Sequence, residues 1–497
     1  MNLLNLLLGA DEDIALTSNE RSAVNYKQLR ENVVELAEQL NSFGLGLGDR
    51  IAITIANSPE MITIFLATTI AATACPLNPK YKQEEFAFYY EDTQAKALII
   101  LPETIPDALA ACTEAMKVIT VKTRESGALY FELTQDQQSW GREIAQASEN
   151  DVAMILHTSG TTSRPKRVPI RHRNLIASAR NFVNAYSLTA SDKTLLVMPL
   201  FHIHGLVGCM LSTFASGGTV ICPPGFNALE FWKLVETFKP TWYSAAPTMH
   251  QMVLSRAKRN LEIVQANQFR FIRSSSAPLP AVVLEQIEAT LNAPVIQSYS
   301  MTEAAHLMTT NPLPPKTRKL KSVGYGFGVD VAIMDSDGNL LPTGSLGEVV
   351  VKGANVIEGY ENNPQANATA FVNGWFRTGD QGFLDEDGYL SLTGRLKELI
   401  NRGGEKISPL EVDDVLLRHP AVSEALAFAV PHKTLGEDIH AAVVLKSTTD
   451  EQELRFHCSQ MLAEFKVPAK FHILEELPRG ATGKLQRLNM ATLLKIK

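Results

Sequence analysis

Cysteine is scarce in this chain. There are five, Cys75, Cys112, Cys209, Cys222 and Cys458, an odd and scattered set without a Cys-x-x-Cys pair. That excludes a disulfide framework and a cysteine zinc site, and it fits a reducing, cytoplasmic compartment. Excess positive charge is also missing: the net charge is −7 and the pI is near 5.9. Such a balance gives no electrostatic footprint for nucleic acid. No apolar run is long enough to span a bilayer comfortably. The longest, 61–75, is interrupted by threonines and reads as a buried helix. Residues 1–8 are apolar but lack a basic flank and meet Asp11-Glu12-Asp13, so no signal peptide is expected. The ending Lys495-Ile496-Lys497 is not a peroxisomal Ser-Lys-Leu address. Internal repeats, low-complexity linkers and the Walker Gly-x4-Gly-Lys-Ser/Thr loop are absent as well.

What is present is ordinary globular composition, 45% apolar and 20% charged, over 497 residues. That length has room for two or more domains. Residues 1–150 alternate helical and strand-like patches, with a helical period over 26–40, a strand candidate at 50–56, and short apolar runs at 97–101 and 118–121. Ser58-Pro59 is a helix start, serine as cap and proline at the first turn. Strand candidates recur at 151–156, 194–198, 219–222, 269–273 and 294–297. The alternation predicts an α/β layer fold, with polar motifs where strands end. Over 321–394 the texture shifts to glycines and β-branched runs, at 329–334, 348–352 and 389–392. Asp337-Gly338 and Asp387-Gly388 read as hairpin turns. This predicts a small antiparallel or barrel-like subdomain. Helices at 408–418 and 451–465 and strands at 425–430 and 441–445 predict a small α+β domain at the end.

The run 151–156 leads into His157-Thr158-Ser159-Gly160-Thr161-Thr162-Ser163-Arg164-Pro165-Lys166. A strand running into hydroxyls, a glycine and a lysine is how a chain presents N–H groups and a cation to phosphate. Taken alone, such a loop is more often a turn. It is followed by Pro199-Leu200-Phe201-His202-Ile203-His204-Gly205, Ser298-Tyr299-Ser300-Met301-Thr302-Glu303, Trp375-Phe376-Arg377-Thr378-Gly379-Asp380, Gly394-Arg395-Leu396-Lys397-Glu398 and Gly480-Ala481-Thr482-Gly483-Lys484. In order and wording this series resembles the adenylate-forming superfamily of acyl-CoA synthetases, luciferases and peptide-synthetase adenylation domains.

The resemblance implies a large N-terminal domain, 1–396, and a small mobile C-terminal domain, 397–497, hinged at Lys397. It implies an ATP-dependent acid–CoA ligase that makes an acyl-adenylate and then a thioester, using Mg²⁺. Thr158, Ser159, Gly160, Thr161, Thr162 and Lys166 match the family's phosphate loop. Glu303 matches its magnesium ligand and Thr302 its α-phosphate contact. Ser276, Ala277, Pro278 and Tyr299 match segments around adenine. Asp380 and Arg395 match ribose or phosphate contacts, and Lys484 matches the lysine that bridges carboxylate and α-phosphate. Gly403, Gly404 and Lys406 match the segment that lines the pantetheine tunnel of coenzyme A. Two positions depart from the usual wording, Ser163 and Arg167 in place of glycines. Arg167 has two readings, an added phosphate cation or a surface arginine beyond the loop.

Within the superfamily, the stretches 158–166, 199–206, 269–277 and 301–308 are most similar to oxalate–CoA ligases. His202, Ser276 and His306 are the expected acid-binding residues, His202 also a catalytic candidate, with His204 behind them. A small diacid keeps its second carboxylate charged and needs polar partners. The alternatives are a ligase for another small, aromatic or fatty acid, loading of a carrier-protein thiol, or a nucleotide-binding protein without turnover.

Overall fold

Two sheets built mainly of parallel strands carry the first part of the chain, as the alternation of patches requires. The structure, a computed structural model, describes residues 1–19, 21–102, 105–133, 146–158, 165–479 and 485–496. By contacts the chain divides into two units. The first comprises Met1–Leu279, Val283–Val331 and Val351–Phe376, and the second Pro280–Val282, Ala332–Val350 and Arg377–Lys497.

In the first unit a seven-stranded sheet runs in the order Leu129–Leu133, Lys117–Thr123, Ala97–Ile100, Arg50–Ile53, Thr73–Pro76, Val152–Thr158, Lys166–Arg171. A nine-stranded sheet has at its centre the parallel strands Val295–Met301, Phe271–Ser274, Trp242–Ala245, Lys193–Leu195 and Thr219–Ile221. Helices form where the apolar spacing and caps agree. Helix Tyr26–Ser42 buries Leu29, Val33, Leu36 and Leu40, and Asn25 and Gln28 cap its start reciprocally. Ser58 accepts from the Met61 N–H at 3.1 Å, with Pro59 opening helix Pro59–Ala71. That helix is shorter than the expected 61–75. Its last apolar residues form the buried strand Thr73–Pro76 instead, a distinction apolar periodicity cannot make. A core around Trp232, Phe231, Tyr243, Ile272 and Val295 fastens helices to the nine-stranded sheet.

The second unit holds strand Leu390–Arg395, paired antiparallel with the Asp380–Leu384 part of strand Trp375–Leu384. The turns at Asp337-Gly338 and Asp387-Gly388 are as expected, each glycine at positive φ. A further sheet, Glu405–Ile407, Ile400–Arg402, Gly436–Leu445 and Val422–His432 with Lys470–Leu474, packs against helices Pro409–Leu417 and Glu451–Met461. Lys397 lies between strands Leu390–Arg395 and Ile400–Arg402, inside this unit. Among the described residues no helix is long and apolar enough to cross a membrane.

Candidate active site

The phosphate-loop candidates Ser159, Gly160, Thr161 and Thr162 lie outside the described residues, but both stems of the loop are defined. Thr158 ends strand Val152–Thr158 and is paired with Lys166, which begins strand Lys166–Arg171. Successive strand residues point to opposite faces, so Lys166 and Arg167 diverge. The Lys166 ammonium sits over the Tyr360 ring, 4.4 Å from its centroid. Arg167 is neither a surface arginine nor placed by its contacts as a free phosphate cation. Its side chain is 14% exposed, its Nη1 donates to the Asp92 carbonyl at 2.6 Å, and it pairs with the carboxylates of Asp92 at 3.4 Å and Glu361 at 3.9 Å. His157, on the other stem, bonds the same Asp92 carboxylate at 3.0 Å, and Arg50 holds Glu361. Burial keeps the His157 pKa down despite that carboxylate. The cluster ties both stems to helix Gln83–Thr93 and to the 360–361 segment.

Tyr360 links this loop to the next motif. Its hydroxyl donates to Glu303 Oε1 at 2.8 Å, and burial, with the Glu303 charge beside it, pushes the phenol pKa up. Thr302 and Glu303 sit on the short helical turn Thr302–Ala304 at the end of strand Val295–Met301. The chain then takes positive φ at two non-glycine residues, Ala305 (46°) and His306 (105°). Such strain persists only where the surroundings hold it. Asn355 supplies that hold, donating to the carbonyls of Ala304 and Leu307 at 2.9 and 2.8 Å. Tyr299, on the same strand, is buried with its hydroxyl at 3.6 Å from the Met301 sulfur. Glu303 is buried and offers one carboxylate. Magnesium is commonly held by one or two carboxylates plus substrate phosphates, so this residue fits the ion without a second protein ligand. No cluster of three metal-ligating side chains occurs among the described residues.

The acid-pocket candidates gather where parallel strands end, as open α/β sheets require. Ser244 and Arg273 are register partners on strands Trp242–Ala245 and Phe271–Ser274. Beyond them Ser276, Ala277 and Pro278 are exposed, and Ser276 has φ of 74°. His204 opens the π-helical segment His204–Leu211, a rare form that is frequent at functional sites. Two glycines allow its packing. A Cβ at Gly205 would lie 2.2 Å from the Pro199 carbonyl oxygen, and one at Gly208 2.2 Å from His306 Nε2. His204 Nδ1 bonds Ser276 Oγ at 2.9 Å, and its Nε2 meets Ser244 Oγ at 2.6 Å and Arg273 Nη1 at 3.2 Å. His306 stacks on His204 with ring centroids 5.1 Å apart. Its ring is fully buried, and neither nitrogen has a protein partner among the described residues. Burial, then the Arg273 charge, holds both imidazoles well below the usual range, so both are neutral. His202 is half-buried at the entry of the segment against Phe201. The structure thus brings Ser276, His204 and His306 together, with His204 rather than His306 touching Ser276.

The remaining candidates belong to the second unit, apart from Lys484, which lies outside the described residues. Asp380 is buried and its carboxylate meets Arg395 Nε at 3.2 Å, the two being register partners. Gly403 and Gly404, with φ of 62° and 96°, form the two-residue turn of a hairpin in which Arg402 pairs with Glu405, the backbone such a turn demands. Lys406 is exposed on the outgoing strand. Arg487, three residues beyond Lys484, pairs with Glu398 at 3.1 Å and Asp413 at 2.7 Å.

Sequence reasoning missed Tyr360, Asn355, Arg273 and Ser244. Only Arg273 carried a signal, as a charged residue at the end of the strand candidate 269–273; the strand that holds Ser244, Trp242–Ala245, was not anticipated.

Residues 9–361 match the family described as AMP-binding enzyme, and residues 411–484 match the AMP-binding enzyme C-terminal domain. The chain is 44% identical to a probable CoA ligase, CCL9, of Humulus lupulus, covering 93% of this chain and 90% of the relative. It is 43% identical to an oxalate–CoA ligase of Arabidopsis thaliana, covering 95% and 94%. It also superposes on a solved O-succinylbenzoate coenzyme A synthetase from Bacillus subtilis, in complex with ATP and magnesium ion. There the TM-score is 0.84 and the identity 31%, covering 98% of each chain.

Proposed function

The chain belongs to the AMP-binding enzyme family and is an AMP-forming acid–CoA ligase, and we propose that the acid it activates is oxalate. The observation that carries this reading is the wall formed by Ser276, His204, Ser244, Arg273 and His306. Arg273 is fully buried, makes no ion pair with a carboxylate among the described residues, and leaves Nη2 without a protein partner. A buried cation without a counterion is costly, and it favours an anion nearby. An acid that keeps a second charged carboxylate supplies one, whereas a fatty acid needs an apolar tunnel. The likeness to a relative named as an oxalate–CoA ligase points the same way.

A carboxylate is a poor electrophile. In the reaction its oxygen attacks the α-phosphorus of ATP, pyrophosphate leaves, and the CoA thiol then displaces AMP from the acyl carbon. The site must offer positive charge where anions meet. Lys166, with Thr158, Ser159, Gly160, Thr161 and Thr162, would take the outer phosphates, Thr302 the α-phosphate, and Ser276 to Pro278 with Tyr299 the adenine. Asp380 and Arg395 take the ribose. Glu303 would hold Mg²⁺, its carboxylate fixed by the hydrogen bond from the Tyr360 hydroxyl. When bound, that ion neutralises phosphate charge. Ser276 and His202 would receive the acid, with His306 buried against His204 rather than open to it. Lys484 bridges carboxylate and phosphate in the first step. In the second, the domain 397–497 turns about Lys397 and presents Gly403, Gly404 and Lys406 to the pantetheine.

The test is pyrophosphate release with a panel of acids. Oxalate should give a higher kcat/KM than acetate, malonate, sulfoacetate, coumarate or octanoate. A monocarboxylate ahead by a wide margin would show the assignment to be wrong.

A further inference from the structure

We infer that Arg273 is a positioning residue that sets the direction of a hydrogen-bond chain through Ser244 and His204, so that the Ser276 hydroxyl is committed to donating its proton to the anionic acid. The inference rests on the placement of Ser276 in the acid pocket.

A guanidinium has five N–H donors and no acceptor. Arg273 Nη1 lies 3.2 Å from His204 Nε2 and 3.1 Å from Ser244 Oγ. A protonated Nε2 would face that N–H donor to donor. Nε2 is therefore the bare, accepting nitrogen. Ser244 Oγ accepts from Arg273, and its own proton goes to His204 Nε2 at 2.6 Å. The neutral imidazole then carries its proton on Nδ1, as the partner of one ring nitrogen fixes the state of the other. Nδ1–H donates to Ser276 Oγ at 2.9 Å. The Ser276 oxygen is filled on that side, and its own O–H is left to point outward. Ser276 is exposed and is held at φ of 74°, a left-handed backbone state uncommon for non-glycine residues.

Nothing else in the cluster competes for this order. Arg273 is itself fixed, its Nε donating to the Tyr186 hydroxyl at 2.9 Å and its plane lying over Phe182 at 5.0 Å. The titratable and charged groups around His204 are Arg273, His250, His202 and His306, and none is acidic. A carboxylate takes only donors, so a serine locked as donor favours it, and a serine free to rotate does so less.

Two measurements on the full chain decide the matter. In ¹⁵N-histidine spectra of the wild type, the His204 signal should be that of the Nδ1–H tautomer from about pH 8 down to about pH 5.5. An Nε2–H tautomer, or protonation of both nitrogens in that window, overturns the inference. The second is a double-mutant cycle. Ser276→Ala should raise KM for the acid about tenfold, the loss expected for one hydrogen bond to a charged group. Arg273→Met should raise it similarly while KM for ATP stays within about twofold, and should add nothing further in the Ser276→Ala background. Arg273→Lys, which keeps a cationic donor, should recover part of the loss. Ser244→Ala serves as the second route in the same cycle should Arg273→Met fold poorly. Multiplying effects in the double mutant would overturn the relay while leaving Ser276 in the pocket. An unchanged acid KM in Ser276→Ala would instead remove Ser276 from the pocket, and the relay with it.

Discussion

Replacing Arg167 with leucine tests the account of the phosphate loop. The sequence alone offers two readings of this arginine, and the surface one implies a loss of about 1 kcal/mol or less. The structure raises that figure. The substitution deletes a charge-assisted hydrogen bond to the Asp92 carbonyl and ion pairs to Asp92 and Glu361. A hydrogen bond to a charged group contributes about 1.5–3 kcal/mol. A fully orphaned buried charge would cost about 3–5 kcal/mol. That ceiling is not reached, because Asp92 keeps His157 and Glu361 keeps Arg50. The expected loss is about 2–3 kcal/mol, which in a chain of this size lowers the melting temperature by roughly 3 °C. Calorimetry gives this directly, alongside KM for ATP in a pyrophosphate-release assay. ATP binding should weaken only as far as the loosened stems allow, by less than about tenfold. Unchanged melting together with abolished activity would refute the reasoning and make Arg167 a phosphate ligand.

Tyr360→Phe leaves the ring under Lys166 but removes the proton given to Glu303. It should cost about 1–3 kcal/mol of magnesium–ATP binding, read as a right-shifted Mg²⁺ titration of pyrophosphate release, and an unshifted titration would sink the link. Stability should fall as the solution is acidified below about pH 6.5. His172 and His250 are held down to about 4 by burial, and His204 and His306 also lie well below the usual range. Unfolding then takes up protons between the folded and unfolded pKa values. Each such histidine gives a slope of up to about 1.4 kcal/mol per pH unit, lost as pH falls from about 6.5 toward about 4. Urea midpoints across that window check it, and a flat profile contradicts it. Lys484→Ala should cripple adenylate formation, by about 10²–10³, yet leave thioester formation from pre-formed acyl-adenylate. Lys397→Pro, which fixes φ at the hinge, should show the reverse pattern. Equal loss in both half-reactions for either variant would refute the alternation of the small domain.

Local rules carried much of the fold. The Ser58-Pro59 helix start, the two Asp-Gly turns and the strand candidates ending at polar motifs are fixed by nearby residues, and each appears in the structure near its expected place. The helix at 61–75 did not end where expected, because an apolar run buried on all sides carries no period to separate helix from strand. Ser276 and His306 were visible inside motifs. Tyr360, Asn355 and Arg273 were not. Tyr360 lies 57 residues from the carboxylate it serves, and Asn355 51 residues from the Ala304 carbonyl it holds. A lone tyrosine or asparagine in a loop has no local pattern. Arg273 reads as a charge at a strand end, where solvent is the ordinary expectation. Only the register with Ser244 shows that it is fully buried and aimed at an imidazole. Arg167 misled for the same reason, since its partners Asp92 and Glu361 are distant in sequence and near in space.

The central claim is tested most directly by competition. The enzyme is given ATP, CoA and an equimolar mixture of oxalate, malonate, sulfoacetate, acetate and octanoate, and the thioesters formed at early times are identified by mass. The account predicts oxalyl-CoA in large excess, with one AMP released per thioester. Predominance of acetyl- or octanoyl-CoA would contradict it, because the buried cation at Arg273 and the committed donor at Ser276 would then have no second carboxylate to serve.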